Sequence, residues 1–190
     1  MERPYIEETN FDKIDFAQTP LLASDYENCK FNNCNFSNYD LSNINFSECV
    51  FTGCNFSMAK TAKTSLRDVQ FKECKLLGIH FEDCDRFLLS FGFDHCLLNL
   101  SSFYTLQLKK TVFKNCSLIE VDFSEANLTE SVFDHCDLTN ALFDNSVLEK
   151  ADLRTAYNYS INPERNKIRK AKFSLPEVLG LLGGFDIVID

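Results

Sequence analysis

The sequence has no tryptophan, four prolines and only two methionines, yet it carries 19 phenylalanines. A mixed hydrophobic core does not draw so heavily on one aromatic while omitting another; one slot refilled many times does. No apolar run approaches the length of a membrane span, and the opening Met1-Glu2-Arg3-Pro4-Tyr5-Ile6-Glu7-Glu8 lacks the apolar stretch of an export signal. A cytoplasmic location is therefore expected, with all nine cysteines reduced. Catalytic signatures are missing as well. There is no Gly-rich phosphate loop, no H-E-x-x-H and no G-x-S-x-G. No residue is nominated for catalysis, and neither a cofactor nor a metal is expected. Lys and Arg number 19 against 28 Asp and Glu, a net charge of −9. That balance argues against direct nucleic-acid binding through a basic patch. It fits plain solubility, or a partner that carries a basic groove.

What the chain does have is a period of five. From Cys29 it reads CKFNN, CNFSN, YDLSN, INFSE, CVFTG, CNFSM. The third residue of each five is Phe or Leu, and a small residue such as Cys, Ala or Ile stands two places earlier. Asn or Asp often lies between them, and Ser or Thr often follows. The central slot runs from Phe11 through Phe31, Phe51 and Phe71 to Phe81, then resumes two residues out of phase at Leu88 and continues to Leu153. A period of five belongs neither to a helix nor to an ordinary strand. It requires a chain that turns a corner every five residues.

The cysteines set the number of corners. Cys34, Cys54 and Cys74 lie 20 apart, as do Cys96, Cys116 and Cys136, while the step from Cys74 to Cys96 is 22. Phe11, Phe31, Phe51 and Phe71 behave alike and continue as Phe93, Phe113 and Phe133 after the same slip. A 20-residue coil with four faces turns each set into a column of stacked like residues. The slip is then a two-residue bulge near Asp85-Arg86-Phe87 that leaves the faces in register. With a layer spacing of ~4.8 Å, roughly seven coils would make a rod about 34 Å long. A single coil cannot bury its apolar slots, so stacking supplies the core.

Several side chains fall into place on this frame. The thiols occupy the small inward slot and read as inert packing. His80, His95 and His135 fall in outward slots, away from any thiol column. Thr61 interrupts its column, and Thr64 fills a small inward slot, so that coil is expected to be locally loosened. Charge is uneven along the chain. Glu120, Asp122, Glu125, Glu130, Asp134, Asp137, Asp144, Glu149 and Asp152 face a single Lys150 between them. After the repeats, Ser174 and Pro176 open a helical pattern with Leu175, Val178, Leu179 and Leu182 as its apolar stripe. Gly183-Gly184 ends it, and Phe185 to Ile189 reads as a last strand.

Over residues 9–156 these tandem fives resemble the pentapeptide-repeat family, and the resemblance implies an all-β fold, a right-handed quadrilateral β-helix. The tail resembles that of the Qnr-like, topoisomerase-protecting branch, in which such a segment caps the rod and supports a dimer. Members of that branch resemble B-form DNA in shape and acidity, and bind DNA gyrase or topoisomerase IV. Some carry long loops between coils, where this chain has only the two-residue slip.

The expected organisation is a lead-in at 1–8, a solenoid at 9–156 and a capping and dimerisation tail at 157–190. The expected function is non-enzymatic: a DNA mimic engaging a type II topoisomerase, related to quinolone protection or modulation. A general scaffold or immunity-type protein with another partner is the alternative. The acidic face would present Glu120, Glu125, Glu130, Asp134, Asp144 and Glu149. A homodimer would form through Leu175, Val178, Leu179 and Leu182, with no membrane contact.

Overall fold

A computed structural model describes residues 3–185 and 187–188. The chain is a right-handed quadrilateral β-helix whose strands pair in parallel with their counterparts in the next coil. Each strand is about three residues long. In Lys30–Asn32, Asn45–Ser47 and Val50–Thr52 only the middle side chain is buried, because successive side chains of a strand point to opposite faces. That alternation is why Phe or Leu holds the central slot.

A left-handed residue closes most steps. Lys13, Asn33, Gly53, Glu73, His95, Asn115 and His135 form one such corner column, with φ between 51° and 64°. A left-handed residue with a Cβ is strained by about 1–2 kcal/mol. Inter-coil hydrogen bonds hold it, as where the Asn33 N–H donates to the Thr52 carbonyl at 2.8 Å. The recurring Asn and Ser stabilise the bend: Asn35 Oδ1 accepts from both the Ser37 N–H (3.1 Å) and its hydroxyl (2.8 Å).

Four faces follow from four steps. The first is a seven-stranded parallel sheet in which Phe11, Phe31, Phe51, Phe71, Phe93, Phe113 and Phe133 pair in succession. Bridges from Asp15 through Asn35, Asn55, Lys75 and Leu97 to Tyr157 mark the second face. The third contains Leu41, Thr61, Phe81, Phe103, Phe123 and Phe143, with the bridge Ser102–Asp122–Leu142 alongside. The fourth is a four-stranded sheet from Tyr5–Glu7 to Ser65–Arg67, continued by the bridges Gln107–Asn127–Val147–Lys167. Stacking thus takes in Tyr5–Glu7 at one end and reaches Lys172, which bridges Asp152, at the other.

Inside, rings stack along each column and meet edge-on between columns. Phe31 lies 4.7 Å from Phe51 at 16°, and Phe31 meets Phe36 at 64°. The nine thiols are buried and unbridged. Most of them donate to carbonyls of the preceding coil, as Cys54 Sγ does to Phe31 O at 3.3 Å. Burial pushes the Cys49 thiol up to about 12, which keeps it protonated.

The slip lies where the spacing places it, with one difference. Val69 pairs with Phe91, Phe71 with Phe93 and Lys75 with Leu97, so the extra residues are taken up between Phe81 and Phe91. Leu88, expected to point inward, is instead 64% exposed, at a left-handed corner with φ 56°. The added length makes the chain bow outward through Phe87 and Leu88. Phe91 and Leu89 turn in instead, and the Ser90 N–H regains the Leu66 carbonyl at 2.9 Å.

The loosened coil is a small void of about 20 Å³ lined by Leu41, Thr61, Thr64, Leu66 and Phe81 among others. Both threonines bond backbone carbonyls, Thr61 that of His80 at 2.7 Å and Thr64 that of Leu41 at 2.8 Å.

The C-terminal helix is two short 3-10 turns, Glu177–Leu181 and Gly183–Phe185. Ser174 provides no side-chain cap; its carbonyl accepts from the Val178 N–H at 3.0 Å. Phe185, Ile187 and Val188 form no strand, and Asp186 and Ile189 of that expected segment lie outside the described residues. Too few residues separate Pro176 from Gly183-Gly184 for an α-helix to settle.

Candidate functional site

Every acidic residue expected on one face is placed by the coil register. Glu120 stands at the corner between the second and third faces and Glu125 at the corner between the third and fourth, each with φ 56°. Asp122 lies on the third face between them and holds the Ser124 N–H at 2.8 Å. Asp144 is one layer above, its backbone carbonyl accepting from the Glu125 N–H at 2.8 Å. The third face and its two corners therefore gather Glu120, Asp122, Glu125 and Asp144. Tyr104 joins them by donating its hydroxyl to Glu125 at 3.1 Å, which raises its own pKa. Of the four carboxylates, Asp144 carries an ion pair, to Arg165 at 2.7 Å.

The other three expected residues lie on different faces. Glu130 occupies the corner between the fourth and first faces, 2.9 Å from Lys150 and 3.9 Å from Lys110. The Lys150 ammonium, by hydrogen bond and charge, holds its carboxyl below the usual range. Glu149 sits on the fourth face in a shallow groove shared with Lys109 and Lys167. Asp134 is on the first face, bonded to His135 Nδ1 at 2.7 Å and to the Thr155 hydroxyl at 3.0 Å, and the His135 bond leads in lowering its pKa. Half of the expected acidic face is a face. The remainder is interleaved with cations.

That interleaving is what a linear count of charges misses. The segment 163–172 holds Arg165, Lys167, Arg169, Lys170 and Lys172 against Glu164 alone. Adding 20 to Val147, Glu149, Lys150 and Asp152 gives Lys167, Arg169, Lys170 and Lys172, the residues that stack beyond them. The same arithmetic that found the columns could have found this basic end.

His80, His95 and His135 are exposed, each bonded to a neighbouring carboxylate. Among the described residues no group of three or more metal-binding side chains gathers. Among them, too, no helix is long and apolar enough to cross a membrane.

The tail closes over the last coil through a tight contact. Ile161 N–H donates to Gly180 O at 2.9 Å, and a Cβ on Gly180 would lie 2.1 Å from the Tyr159 carbonyl oxygen. Of the four expected dimer residues, Leu175 is 88% exposed and Leu179 is exposed, while Val178 and Leu182 are half-buried. Leu181, outside the expected stripe, is the tail leucine that packs on the core.

Comparison with known proteins agrees with this architecture. The family profile described as a pentapeptide repeat region matches residues 24–92 and 86–157, well over half the chain. The chain belongs to the pentapeptide-repeat family. No curated protein matches it. Among solved structures it is similar to a trypsin-treated variant of QnrB1, a plasmid-mediated fluoroquinolone resistance protein, at 16% identity and TM-score 0.63, covering 98% of this chain and 100% of that one. It is also similar to HetL of the cyanobacterium Nostoc, a pentapeptide-repeat protein involved in heterocyst differentiation regulation. That match has 15% identity and TM-score 0.56, and covers 91% of this chain and 87% of that one. At such identities the likeness establishes the shared fold.

Proposed function

We propose that this pentapeptide-repeat protein is a non-catalytic binding protein that engages a type II topoisomerase, DNA gyrase or topoisomerase IV, by mimicking DNA. The observation that carries the reading is the acidic flank formed by Glu120, Asp122, Glu125 and Asp144 on the third face and its corners. A stiff rod holding carboxylates at layer spacings of ~4.8 Å offers a basic groove a preorganised substitute for phosphates. Association of this kind is steered by charge and weakens with salt. The fold shared with QnrB1 supports the choice of partner.

The test is a gyrase supercoiling assay with a quinolone present, titrating in the purified protein. Rescue at low concentration, lost in an E120K/E125K variant that melts like the parent, is the expected result. No effect on gyrase or topoisomerase IV at any concentration overturns the reading.

A second reading is a scaffold or immunity-type protein with another protein partner. It is favoured by the likeness to HetL, whose described role is in differentiation regulation, and by the ion pairs that neutralise Glu130 and Asp144. Binding to an unrelated partner that survives both salt and the E120K/E125K reversal would select it.

A further inference from the structure

The rod is polarised across its axis as well as along it. In the C-terminal half, acidic side chains collect on the third face. Lysines and arginines collect on the opposite corner, between the fourth and first faces. Lys110, Glu130, Lys150 and Lys170 form that corner column, each with φ between 59° and 62°. Lys109 stands beside it on the fourth face, and Lys167 and Arg169 extend the strip into the last coil, stacked on Val147 and Glu149. All six cations are exposed. Among the described residues, Lys109, Lys167, Arg169 and Lys170 make no ion pair, and the two that do, Lys110 and Lys150, share the single carboxylate of Glu130. Glu149 is the other acid on the strip.

We infer that this basic strip is a docking surface for the phosphate backbone of duplex DNA, read without regard to base sequence. Two features favour phosphates over an acidic protein surface. None of the exposed aromatic residues lies on the strip: Tyr5 is at the far end of the rod, Phe87 on the bulge, Tyr104 on the third face, Tyr157 on the second and Phe185 in the tail. Protein interfaces draw heavily on buried aromatic anchors, whereas backbone binding needs only mobile cations spaced along a line. The strip is also long. Lys110 to Lys170 spans three layers, about 14 Å, room for several phosphates of one groove edge. The net charge of −9 does not prevent this, because local cations face the DNA directly while repulsion from the acids around the third face is weakened by salt.

This inference is independent of a topoisomerase partner and is tested on DNA alone. The probe is a fluorescein-labelled duplex of mixed sequence, with binding read by anisotropy across a salt series. Expected is sequence-independent binding. With about five phosphates engaged, affinity falls roughly 10²–10³-fold between about 50 and 200 mM salt. A K167E/R169E/K170E variant, altered only at exposed positions, abolishes binding while keeping the parent's melting temperature. E120K/E125K leaves it intact or tightens it. No binding at about 50 mM salt overturns the inference, as does binding that the triple reversal leaves untouched. Binding of polyglutamate but not DNA overturns it too, by assigning the strip to an acidic protein.

Discussion

Phe71 and Phe93 stack face to face, 5.4 Å apart and 11° from parallel, although 22 residues separate them where 20 separate Phe51 from Phe71. The column continues across the slip because the added length leaves the coil as an outward bow at Phe87 and Leu88. Removing Phe87 and Leu88 together should restore the 20-residue spacing and leave the melting temperature within a few degrees of the parent. Removing Asn99 and Leu100, in a regular coil, shifts every later residue out of register with the coil before it and should unfold the C-terminal half. Equal damage from both deletions in thermal melts would show that the bow is an integral part of the stack.

The column itself sets the stability. Phe51 is buried between Phe31 and Phe71 and meets Phe56 edge-on at 5.1 Å. F51A should cost about 3–5 kcal/mol, from lost burial together with a cavity that rigid neighbouring coils cannot close. Chemical denaturation measures this. A loss below about 1 kcal/mol would mean that the coils collapse freely onto the gap.

Most of the architecture was legible because a five-residue period with like residues every 20 leaves one economical winding. Cys34, Cys54 and Cys74 announced a column, and the structure stacks them. Leu88 was misread because a phase count assigns slots without knowing where added length leaves the wall. The tail is helical as its apolar spacing suggests, but takes the tighter 3-10 form, because seven residues before Gly183-Gly184 are too few for an α-helix to settle. The placement of the acidic residues was half legible. Glu120 and Glu130 are both acidic in sequence, but one stands on a carboxylate flank and the other between Lys110 and Lys150. Only the coil register separates them.

That separation gives a sharp prediction for binding. E120K/E125K should abolish a salt-dependent association with gyrase. E130K should weaken it little, because Glu130 is already neutralised and lies on the opposite corner. All three glutamates lie at the surface, and exposed charges and ion pairs are screened by water and salt, so neither variant should unfold the rod. Pull-down or calorimetry across a salt series distinguishes them. Equal loss in the two variants would remove the third face from its special role.

Acid should loosen the rod in a defined direction. Asp134, bonded by His135, Asp152, bonded by Arg154, and Glu130, bonded by Lys150, all have folded pKa values below their ordinary ones. A depressed carboxyl pKa contributes stability that is present above the unfolded value, near ~4, and is lost as pH falls through the folded value. The melting temperature should therefore hold between about pH 7 and 5 and decline below about pH 4. D134N should shallow that decline. A melting temperature that rises on acidification would contradict it.

The tail offers the last test. Gly180 approaches the Tyr159 backbone so closely that any Cβ must displace one of them. G180A should detach the turns Glu177–Leu181 and Gly183–Phe185 from the last coil while the columns below stay stacked. If Leu175, Val178, Leu179 and Leu182 join two copies, as expected from the sequence, the wild type should sediment as a dimer and G180A as a monomer with the parent's far-ultraviolet circular dichroism. L175E probes the same contact from the outside, since Leu175 is 88% exposed and its charge costs the monomer nothing in packing. A wild type that is monomeric at all concentrations, or a dimer that survives both changes, would remove the tail from the assembly. The tail would then serve only to cover the end of the rod, through Leu181.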